Sequence, residues 1–277
     1  MSCPALHHGL APVVEQVRLA RDTFRLRFHA PALAAAIQPG QFLMLRLPHR
    51  TDPLLGRAFA LYDTAGETVD IVYYVVGKMT KLMAQLQAGD AVEVCGPLGQ
   101  PFPSYAGYEQ LVTVGGGIGQ TPMLALLKRA LGLKGYGGQP AKREVPLASF
   151  YYGVRSAESL AGLEDFRATG AEIHLATDDG STGFKGYVPQ LVEKHHQEGR
   201  LATKQRWVGC GPEPMMHALA GVAAKVSVPL DLSLETPMAC GVGICFSCVT
   251  KVKTDGGWDY RRVCVEGPVF EAERLVW

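Results

Sequence analysis

The chain lacks a strong net charge and any long uninterrupted apolar stretch. Its 277 residues include 27 Lys plus Arg against 26 Asp plus Glu, so the formal net charge is only +1. No global field therefore points to a nucleic acid or an anionic membrane as a partner. No apolar run approaches the roughly 20 residues that a membrane-spanning helix needs. The N-terminus has no basic start followed by an apolar run, so we expect no secretory signal. These absences predict a cytoplasmic protein, with no nucleic acid and no membrane among its partners.

Cysteine is scarce over most of the chain but concentrated near the C-terminus. Four of the seven cysteines form one C-terminal set: Cys240, Cys245, Cys248 and Cys264. We expect Cys3 and Cys95 to be ordinary cysteines. An odd number of cysteines in a reducing compartment argues against a disulfide framework and favours metal binding or redox chemistry.

The spacing of the four C-terminal cysteines distinguishes the sites they could build. The first three form C-x4-C-x2-C, and fifteen residues separate Cys248 from Cys264. This is the ligand spacing of a plant-type 2Fe–2S cluster. Small residues between the ligands (Gly241, Gly243 and Ser247) allow backbone N–H groups to turn toward the sulfurs. Zinc sites usually use two short-spaced pairs, and no histidine follows residue 217. The spacing favours an iron–sulfur cluster, and zinc is the alternative.

The first part of the chain, residues 1–105, is typical of an antiparallel β domain. It contains the short segments VVEQVRLA, TFRLRFHA, QFLMLRLP, RAFALYD, TVDIVYYVV and DAVEVCGP, separated by turn signals. Regular short strands of this kind predict a barrel or sandwich. One segment, KMTKLMAQLQ, carries apolar residues at helical spacing and predicts a helix whose stripe belongs to the core.

Residues 106–232 change to alternating strand and helix. Apolar runs at EQLVTV, ASFYYGVR, AEIHLATDD and QRWVGCGP end in polar or glycine-rich turns, and helical segments lie between or after them. This pattern predicts a doubly wound, parallel sheet. The insertion GLKGYGGQPAKREVP is rich in glycine, proline and charge, which predicts an exposed loop. Residues 233–277, which contain the cysteine set, are predicted to form a third, small domain.

Two turns in the α/β region carry a nucleotide-binding signal. The first contains Gly115, Gly116, Gly117, Gly119 and Thr121, between a strand and a helix. Glycines there let the backbone approach a ligand, and a helix N-terminus favours an anionic group. A tight strand-to-helix turn explains the same glycines. The second turn is formed by Cys210, Gly211 and Pro212. Two such turns at strand ends of one sheet would border a shared crevice, which favours a dinucleotide site.

A weaker signal lies at Arg57-Ala58-Phe59-Ala60. An Arg close to an aromatic residue in a β domain could hold a phosphate and present a ring to a flat cofactor. A solvent-facing Arg beside a core Phe explains the same residues.

Together these features resemble the electron-transfer subunits of class B dihydroorotate dehydrogenase, a branch of the ferredoxin–NADP reductase superfamily. The resemblance covers nearly the whole chain. The segments that carry it are GRAFALYD, VVGKMTKLMAQLQAGDAVEVCGPLGQPF, VGGGIGQTPMLAL, YYGVRS, TDDGSTGFKGYV, CGPEPMMHAL, MACGVGICFSCV and VCVEGPVF. The last two are the most specific.

The resemblance implies an antiparallel flavin-binding β-barrel, a nicotinamide-binding α/β domain and a small C-terminal 2Fe–2S domain. It implies that the four C-terminal cysteines are the cluster ligands and that Cys210 faces the nicotinamide, although a buried structural role explains Cys210 as well. The implied flavin contacts are Arg57, Ala58, Phe59, Ala60, Val72, Tyr73, Tyr74, Met79 and Thr80. The implied nicotinamide contacts are Gly115, Gly116, Gly117, Gly119, Thr121, Gly211 and Pro212.

The sequence departs from the family pattern mainly in the flavin motif. The family's Arg-Pro-x-Ser has Ala58 for Pro and Ala60 for Ser here, so the hydroxyl expected near the flavin is missing. Met79 stands where Gly is usual, and Tyr74 where Arg is common. These changes affect flavin affinity and potential more than flavin binding, since backbone groups can supply many contacts.

The activity implied by the resemblance is an electron relay. A partner subunit carrying FMN oxidises dihydroorotate, and electrons pass through the 2Fe–2S cluster and FAD of this chain to NAD⁺ in pyrimidine biosynthesis. The implied assembly is a heterotetramer of two catalytic and two electron-transfer subunits. Two rival hypotheses are a reductase subunit of another complex, such as an NADH-dependent ferredoxin–NADP oxidoreductase or a hydrogenase diaphorase, and a carrier subunit without flavin turnover. Arg155 and Ser156 would suit NADPH, Glu158 would suit NADH, and the resemblance favours NAD.

Overall fold

The protein, described here as a computed structural model of residues 6–277, begins with a seven-stranded antiparallel sheet. Cys3 lies outside the described residues. The strands are β1 (His7–Ala20), β2 (Thr23–His29), β3 (Phe42–Arg46), β4 (Arg57–Ala60), β5 (Asp63–Ala65), β6 (Thr68–Tyr74) and β7 (Ala91–Leu98). They pair in the order β4-β3-β7-β1-β2-β6-β5. The edge strands β4 and β5 follow each other in the chain, and the Tyr62 N–H between them donates to the Asp70 carbonyl (3.0 Å). The sheet thus curls into the predicted barrel.

Alternation along the strands decides which side chains fill the barrel. On β6, Val69, Ile71 and Tyr73 are buried in its core, whereas Val72 and Tyr74 face outward. Two short helices accompany the strands, α1 (Pro31–Ala36) and α2 (Lys78–Met83). The sequence predicts only α2. Helix α1 starts at a proline, a residue suited to the first helical position, and buries Leu33 in the barrel core.

The second sheet is the predicted parallel one. Its parallel strands are β8 (Gln110–Gly116), β9 (Leu147–Val154), β10 (Glu172–Thr177), β11 (Phe184–Lys185), β12 (Gln205–Cys210) and β13 (Leu230–Ser233). They pair in the order β11-β10-β9-β8-β12-β13. The accompanying helices are α3 (Thr121–Ala130), α4 (Leu163–Arg167), α5 (Val188–Gln197) and α6 (Glu213–Lys225).

Both faces of this sheet are covered, because alternate residues of its strands enter different cores. Val112 and Val114 pack in one core with Leu191 of α5 and Leu219 of α6. Leu111, the neighbour of Val112, packs in another core with residues of α3 and α4. Strands buried on both faces explain why EQLVTV and ASFYYGVR are continuous apolar runs.

The C-terminal segment is tied into the second sheet. It forms a two-stranded hairpin, β14 (Val249–Thr254) with β15 (Gly257–Arg262), and a last strand, β16 (Val269–Glu271). Strand β16 pairs antiparallel with β13 and so becomes the edge of the second sheet. An antiparallel edge on a parallel sheet was not predicted, because β16 is only three residues long. The domain boundaries near residues 105 and 232 stay predictions.

The insertion between α3 and β9 differs from the exposed loop that its composition predicts. Its second half is largely exposed, but Tyr136 is buried against the barrel core. The Tyr136 hydroxyl donates to Asp63 Oδ1 (2.8 Å), and Lys134 Nζ donates to the same oxygen (2.7 Å). Lys128 of α3 contacts the other Asp63 oxygen (2.5 Å). The composition of a segment indicates only its average exposure. It does not reveal a single buried aromatic residue such as Tyr136, which ties the α/β region to β5.

No helix within residues 6–277 is long and apolar enough to cross a lipid bilayer.

Candidate redox sites

The two glycine-bearing turns lie side by side, as the crevice hypothesis requires. Gly115 at the end of β8 is in register with Cys210 at the end of β12. The strand order changes direction between these two strands, because β9 lies on one side of β8 and β12 on the other. Ligands of open α/β sheets bind at the carboxyl ends of strands at such a switch point. The geometry therefore agrees with the crevice hypothesis, and a ligand site between residues 115–121 and 210–215 stays a prediction.

Two of the four glycines of the first turn, Gly116 and Gly119, allow it to contact the second turn, and Gly115 allows a close contact within the first turn. A Cβ at Gly119 would overlap the Cys210 carbonyl, and one at Gly116 would overlap the Met215 sulfur. A Cβ at Gly115 would lie 2.9 Å from the Gln120 Cα. Only Gly117 combines a left-handed backbone (φ +55°) with open space beyond it. Gly117 is therefore the glycine of this turn whose backbone is free to approach a ligand.

The second turn and the helix start complete the crevice wall. Thr121 is buried and begins α3, whereas Pro212 is exposed ahead of α6. Gly211 is buried, and a Cβ there would lie 3.0 Å from the Gly116 Cα. The side-chain amide of Gln120 is fully buried and makes no hydrogen bond within residues 6–277. An orphaned buried amide beside this turn is a group that a bound nucleotide or a water would satisfy, which fits a nucleotide site.

Cys210 is almost completely buried, at 1% exposure, and its closest acidic neighbour is Glu235. The Cys210 Sγ lies 4.0 Å from the Glu235 Oε1. Burial, followed by the nearby carboxylate, raises the pKa of the Cys210 thiol well above its ordinary value. Burial also raises the pKa of Glu235, although part of its surface is exposed to solvent. Cys210 is thus a protonated thiol at neutral pH.

Glu235 is a site residue that sequence reasoning missed. It follows β13, whose carboxyl end lies at the same sheet edge as Cys210. The signal was available, because the carboxyl ends of neighbouring parallel strands always share one edge. No sequence motif includes Glu235, which lies directly before the cysteine segment.

The predicted flavin motif lies on β4, the edge strand of the barrel. Arg57 is exposed, and its Nη1 donates to the carbonyls of Leu55 and Gly56, both at 3.0 Å. Ala58, Phe59 and Ala60 are half-buried. The Arg57 guanidinium is thus pre-positioned by its own loop and keeps donors free for an anionic group.

The second flavin stretch divides between the outside and the inside of the barrel. Val72 faces the α/β region, and Tyr74 is exposed. The Tyr73 ring is buried in the barrel core, edge-on to Phe59 at 6.1 Å, and its hydroxyl donates to Gln16 Oε1 (2.9 Å). Tyr73 can therefore meet a flavin only through its backbone.

The third predicted flavin stretch, Met79 and Thr80, lies at the start of helix α2. The Met79 side chain is buried in the barrel core. The Thr80 hydroxyl accepts from the N–H groups of Val76 (3.0 Å) and Gly77 (3.1 Å). These side chains are occupied by the fold, so the groups left for a cofactor are the first N–H groups of α2.

Exposed apolar side chains flank the flavin motif. They precede β4 or lie at and just beyond the end of β6, two strands that lie in contact. They are Leu54, Leu55, Tyr74 and Val76. Apolar surface beside a free guanidinium suits a flat aromatic ring carrying a phosphate chain, so these residues fit a flavin nucleotide.

The C-terminal loop brings the four cysteines together as two pairs. Cys240 and Cys245 are within hydrogen-bonding range of each other, and so are Cys248 and Cys264. All four thiols are free. Within residues 6–277, no three His, Cys, Asp or Glu side chains converge as ligands of one metal ion would. Two neighbouring thiol pairs, close enough for Cys240 to act on Cys264, suit a cluster in which each of two irons takes two cysteines, so the donor set fits 2Fe–2S.

The two pairs differ in exposure. Cys248 and Cys264 are buried, whereas Cys245 is exposed. Burial, together with the neighbouring Cys248, raises the pKa of Cys264 to about 12. Hydrogen bonds from Ser247, at 3.2 Å between Sγ and Oγ, and from Cys240 lower the pKa of Cys245 to about 6. One pair therefore faces the protein interior and the other faces solvent.

The cysteine loop packs against the strand pair that carries the flavin motif. Gly241 has a left-handed backbone (φ +73°), and a Cβ there would lie 2.6 Å from the Met44 Cγ. Met44 on β3 is paired directly with Ala58 on β4. A single residue, Met44, therefore separates the loop from the predicted flavin strand. Met44 carries no sequence signal for this role.

Arg262 fixes the far side of the cysteine loop. Its Nη1 donates to the Gly243 carbonyl (3.1 Å), and its guanidinium lies 5.3 Å from the centre of the Phe246 ring. Glu266 holds the same guanidinium through a bond of 2.7 Å. Sequence reasoning also missed Arg262, since an arginine between two cysteines has no distinctive spacing.

Three family profiles match consecutive parts of the chain. "Oxidoreductase FAD-binding domain" matches residues 10–102, and "Oxidoreductase NAD-binding domain" matches residues 113–220. "Iron-sulfur cluster binding domain of dihydroorotate dehydrogenase B" matches residues 235–276. The predicted cofactors, FAD and an iron–sulfur cluster with NAD as the substrate, are confirmed at this level.

Relatives that span the whole chain decide the family. The chain is 35% identical over 269 residues to "Dihydroorotate dehydrogenase B (NAD(+)), electron transfer subunit" of Desulforamulus reducens, covering 96% of this chain and 97% of that protein. It is 38% identical over 269 residues to the protein of that name from Bacillus caldolyticus, covering 95% and 96%. The chain belongs to this family of electron transfer subunits.

Solved structures agree with this fold. A chain of an NADH-dependent reduced ferredoxin-NADP oxidoreductase, solved in a study of flavin-based electron bifurcation, superposes with a TM-score of 0.81 at 27% identity, over 97% of this chain and 90% of that chain. The ferredoxin reductase of carbazole 1,9a-dioxygenase has a TM-score of 0.67 at 19% identity, over 82% and 69%, and shares the fold alone.

Proposed function

We propose that this chain passes electrons from a dihydroorotate-oxidising subunit to NAD⁺. Nicotinamide takes two electrons as a hydride, a 2Fe–2S cluster handles one at a time, and FAD connects the two. In this assignment the four C-terminal cysteines hold the cluster. Residues of β4, β6 and the start of α2 hold FAD, and the turns at 115–121 and 210–215 hold the nicotinamide nucleotide.

The observation that carries the proposal is the contact between the three sites. The cysteine loop reaches the flavin strand through Gly241 and Met44, which pairs with Ala58. Val72 of β6, a strand in contact with β4, packs in the same core as Met123 and Leu124 of α3, the helix that starts at the predicted nicotinamide crevice. The flavin region therefore lies between the cysteines and the crevice, as an electron relay requires.

Cys210 and Glu235 are proposed to act on the nicotinamide by position and not as proton donors to substrate. The buried thiol supplies a neutral, soft surface at the end of β12, and Glu235 supplies an exposed polar group beside it. Gly117 offers the free backbone of the turn. These groups bind and orient the ring, while the enclosed turns keep water away from it.

The strand ends favour NAD⁺ over NADP⁺. Glu158 is held by Arg21 of the barrel, with 3.4 Å between Nη1 and Oε1. The N–H groups of Asp178 and Asp179 donate to the carbonyls of Val154 and Arg155, which places these two acidic residues at the end of β9, where they offset the exposed Arg155. Acidic groups there would repel a 2′-phosphate and accept ribose hydroxyls, as in other dinucleotide sites.

The relatives' name supports a partner. An "electron transfer subunit" of dihydroorotate dehydrogenase B works with a catalytic subunit, which we propose carries FMN and joins this chain as a cytoplasmic heterotetramer of two plus two. A second candidate, a reductase subunit of a ferredoxin–NADP oxidoreductase, is supported by the TM-score of 0.81. The match of residues 235–276 and the higher identity of the whole-chain relatives favour the first.

The test is spectroscopic and enzymatic. The purified chain should show flavin and cluster absorbance, both bleached by NADH. Mixed with the dihydroorotate dehydrogenase B catalytic subunit of the same genome, it should give dihydroorotate-dependent NAD⁺ reduction that neither protein gives alone. A cluster spectrum without flavin, or no coupling in the mixture, would contradict the proposal.

A further inference from the structure

The hairpin β14–β15 presents one face that packs on nothing in the described chain. Cross-strand pairing sets Lys251 against Tyr260 and Lys253 against Trp258, so these four side chains lie on the same face. All four are exposed, Trp258 at 48% and Tyr260 at 51%. The two rings meet edge-on at 5.2 Å, and Lys251 Nζ lies 4.6 Å from the centre of the Trp258 ring. Two aromatic rings and two cations thus form a preorganised exposed surface, here called the hairpin face.

Contacts on the opposite face of the hairpin fix the position of the hairpin face. Val252 is buried there, and it forms a backbone bridge with Leu275. Arg261 and Asp259 pair with each other on that side, with 2.5 Å between Nη1 and Oδ2. The one carboxylate within β15 is thereby turned away from the hairpin face, which keeps only its two lysine charges.

The hairpin face continues into the cysteine loop. Arg262 is two residues beyond Tyr260 on the same side of β15, and its guanidinium lies against the Phe246 ring. Phe246 is 61% exposed and its neighbour Ile244 is 79% exposed. These residues flank the exposed ligand Cys245. One continuous surface therefore runs from the two lysines through the aromatic rings to the cysteine loop.

We infer that the hairpin face is the docking surface for the protein that delivers electrons to the cluster. The inference rests on the proposed function and names the part of this chain that the partner binds. The partner must approach the exposed cysteine pair, and a protein seated on Ile244 and Phe246 would also meet the hairpin. Large exposed aromatic residues mark interaction sites, and tryptophan and tyrosine dominate binding energy at interfaces. The two lysines require a partner patch that is apolar at its centre and bordered by carboxylates.

The test compares two sets of variants of the full, cofactor-loaded chain. The docking set is Trp258→Ala and the double reversal Lys251→Glu with Lys253→Glu. The control set is Leu147→Ala, a comparably exposed apolar residue on β9, and Lys142→Glu with Lys204→Glu, two exposed lysines outside the hairpin. Each variant is titrated with the same catalytic subunit. NADH-dependent ferricyanide reduction, which needs no partner, is measured in parallel.

We expect each docking variant to weaken binding of the catalytic subunit by about tenfold or more, as truncation or reversal at an interface does. The charge reversal should also flatten the salt dependence of binding. Cluster absorbance and ferricyanide reduction should stay at the wild-type level, and the control set should bind normally. Unchanged binding in both docking variants would overturn the inference, and so would a wild-type homodimer that the reversal dissociates. Absence of coupling in the wild-type mixture would instead contradict the proposed function.

Discussion

The nicotinamide end of the chain is enclosed, whereas the cysteine end is open to solvent. At the crevice, two turns touch so closely that Gly116 and Gly119 of the first turn leave no room for a side chain against the second, and Cys210 is buried. At the cysteine loop, Cys245, Ile244 and Phe246 are exposed. An enclosed site suits a small ligand whose chemistry must exclude water. An open site beside apolar side chains suits a protein partner.

The largest effect should come from breaking the cysteine end. Cys264→Ser removes one buried thiolate of the proposed cluster, so cluster absorbance and dihydroorotate-dependent NAD⁺ reduction should be abolished. Flavin absorbance and NADH-dependent ferricyanide reduction should survive, because the crevice lies elsewhere. Cys95→Ser, which changes a half-buried cysteine of the barrel, is the matched control and should keep both activities. Retention of the cluster in the Cys264→Ser variant would show that Cys264 is not a cluster ligand.

The next effect should come from opening the crevice. Gly119→Ala places a methyl group onto the Cys210 carbonyl, so the two turns must separate, at a cost of about 1–3 kcal/mol in unfolding free energy. NADH oxidation should fall while the cluster spectrum stays intact. Gly221→Ala in α6, where a Cβ has open space, should instead be neutral or stabilising. Denaturant unfolding and NADH kinetics measure both variants. A Gly119→Ala variant that equals the wild type in stability and in NADH oxidation would refute the close contact.

A smaller effect is expected from loosening the cysteine loop. Arg262→Met removes the donor to the Gly243 carbonyl and the cation beside Phe246, which should loosen the cysteine loop. The cluster should be lost faster to chelator, with nicotinamide kinetics unchanged. Arg261→Met, on the opposite face of the hairpin, should have little effect on chelation. Equal rates of cluster loss to the chelator in the two variants would show that the cysteine loop is held by other contacts.

The smallest effect concerns pH at the crevice. Burial raises the pKa of Glu235, so the folded state holds its proton to higher pH than the unfolded chain does. Folding stability therefore falls as pH rises from the ordinary glutamate pKa through the raised one. The Glu235→Gln variant has no carboxyl group to lose this proton. Its unfolding free energy should therefore exceed that of the wild type only at pH values above this range. The advantage should stay below about 1 kcal/mol because the carboxyl surface is exposed. Thermal melts at pH 4 and pH 8 compare the two proteins, and an advantage at pH 4 alone would contradict the sign.

The sequence predicted the strands and helices that carry regular patterns. The apolar runs of the parallel sheet and the alternating barrel segments became strands near their predicted positions. Helix α1 and strand β16 escaped because six and three residues are too short for a periodic signal. The insertion before β9 was mispredicted because Tyr136 works through contacts with a distant strand.

The candidate sites were predictable in position but not in side-chain direction. Spacing located the four cysteines, and family motifs located the flavin stretches. Motif position cannot reveal that Tyr73 and Met79 point into the barrel. Strand alternation would have placed Tyr73 opposite Val72 and Tyr74. Glu235, Met44 and Arg262 act through contacts distant in sequence, which only the fold brings together.

The central claim is that the crevice and the cysteine loop are electronically connected within one chain. Paramagnetic resonance of the isolated, cofactor-loaded chain after anaerobic addition of NADH tests this most directly. The account predicts that NADH alone produces the signal of a reduced 2Fe–2S cluster, and that Cys264→Ser lacks it. A cluster that dithionite reduces but NADH leaves oxidised, in a chain whose flavin NADH does bleach, would contradict the connection.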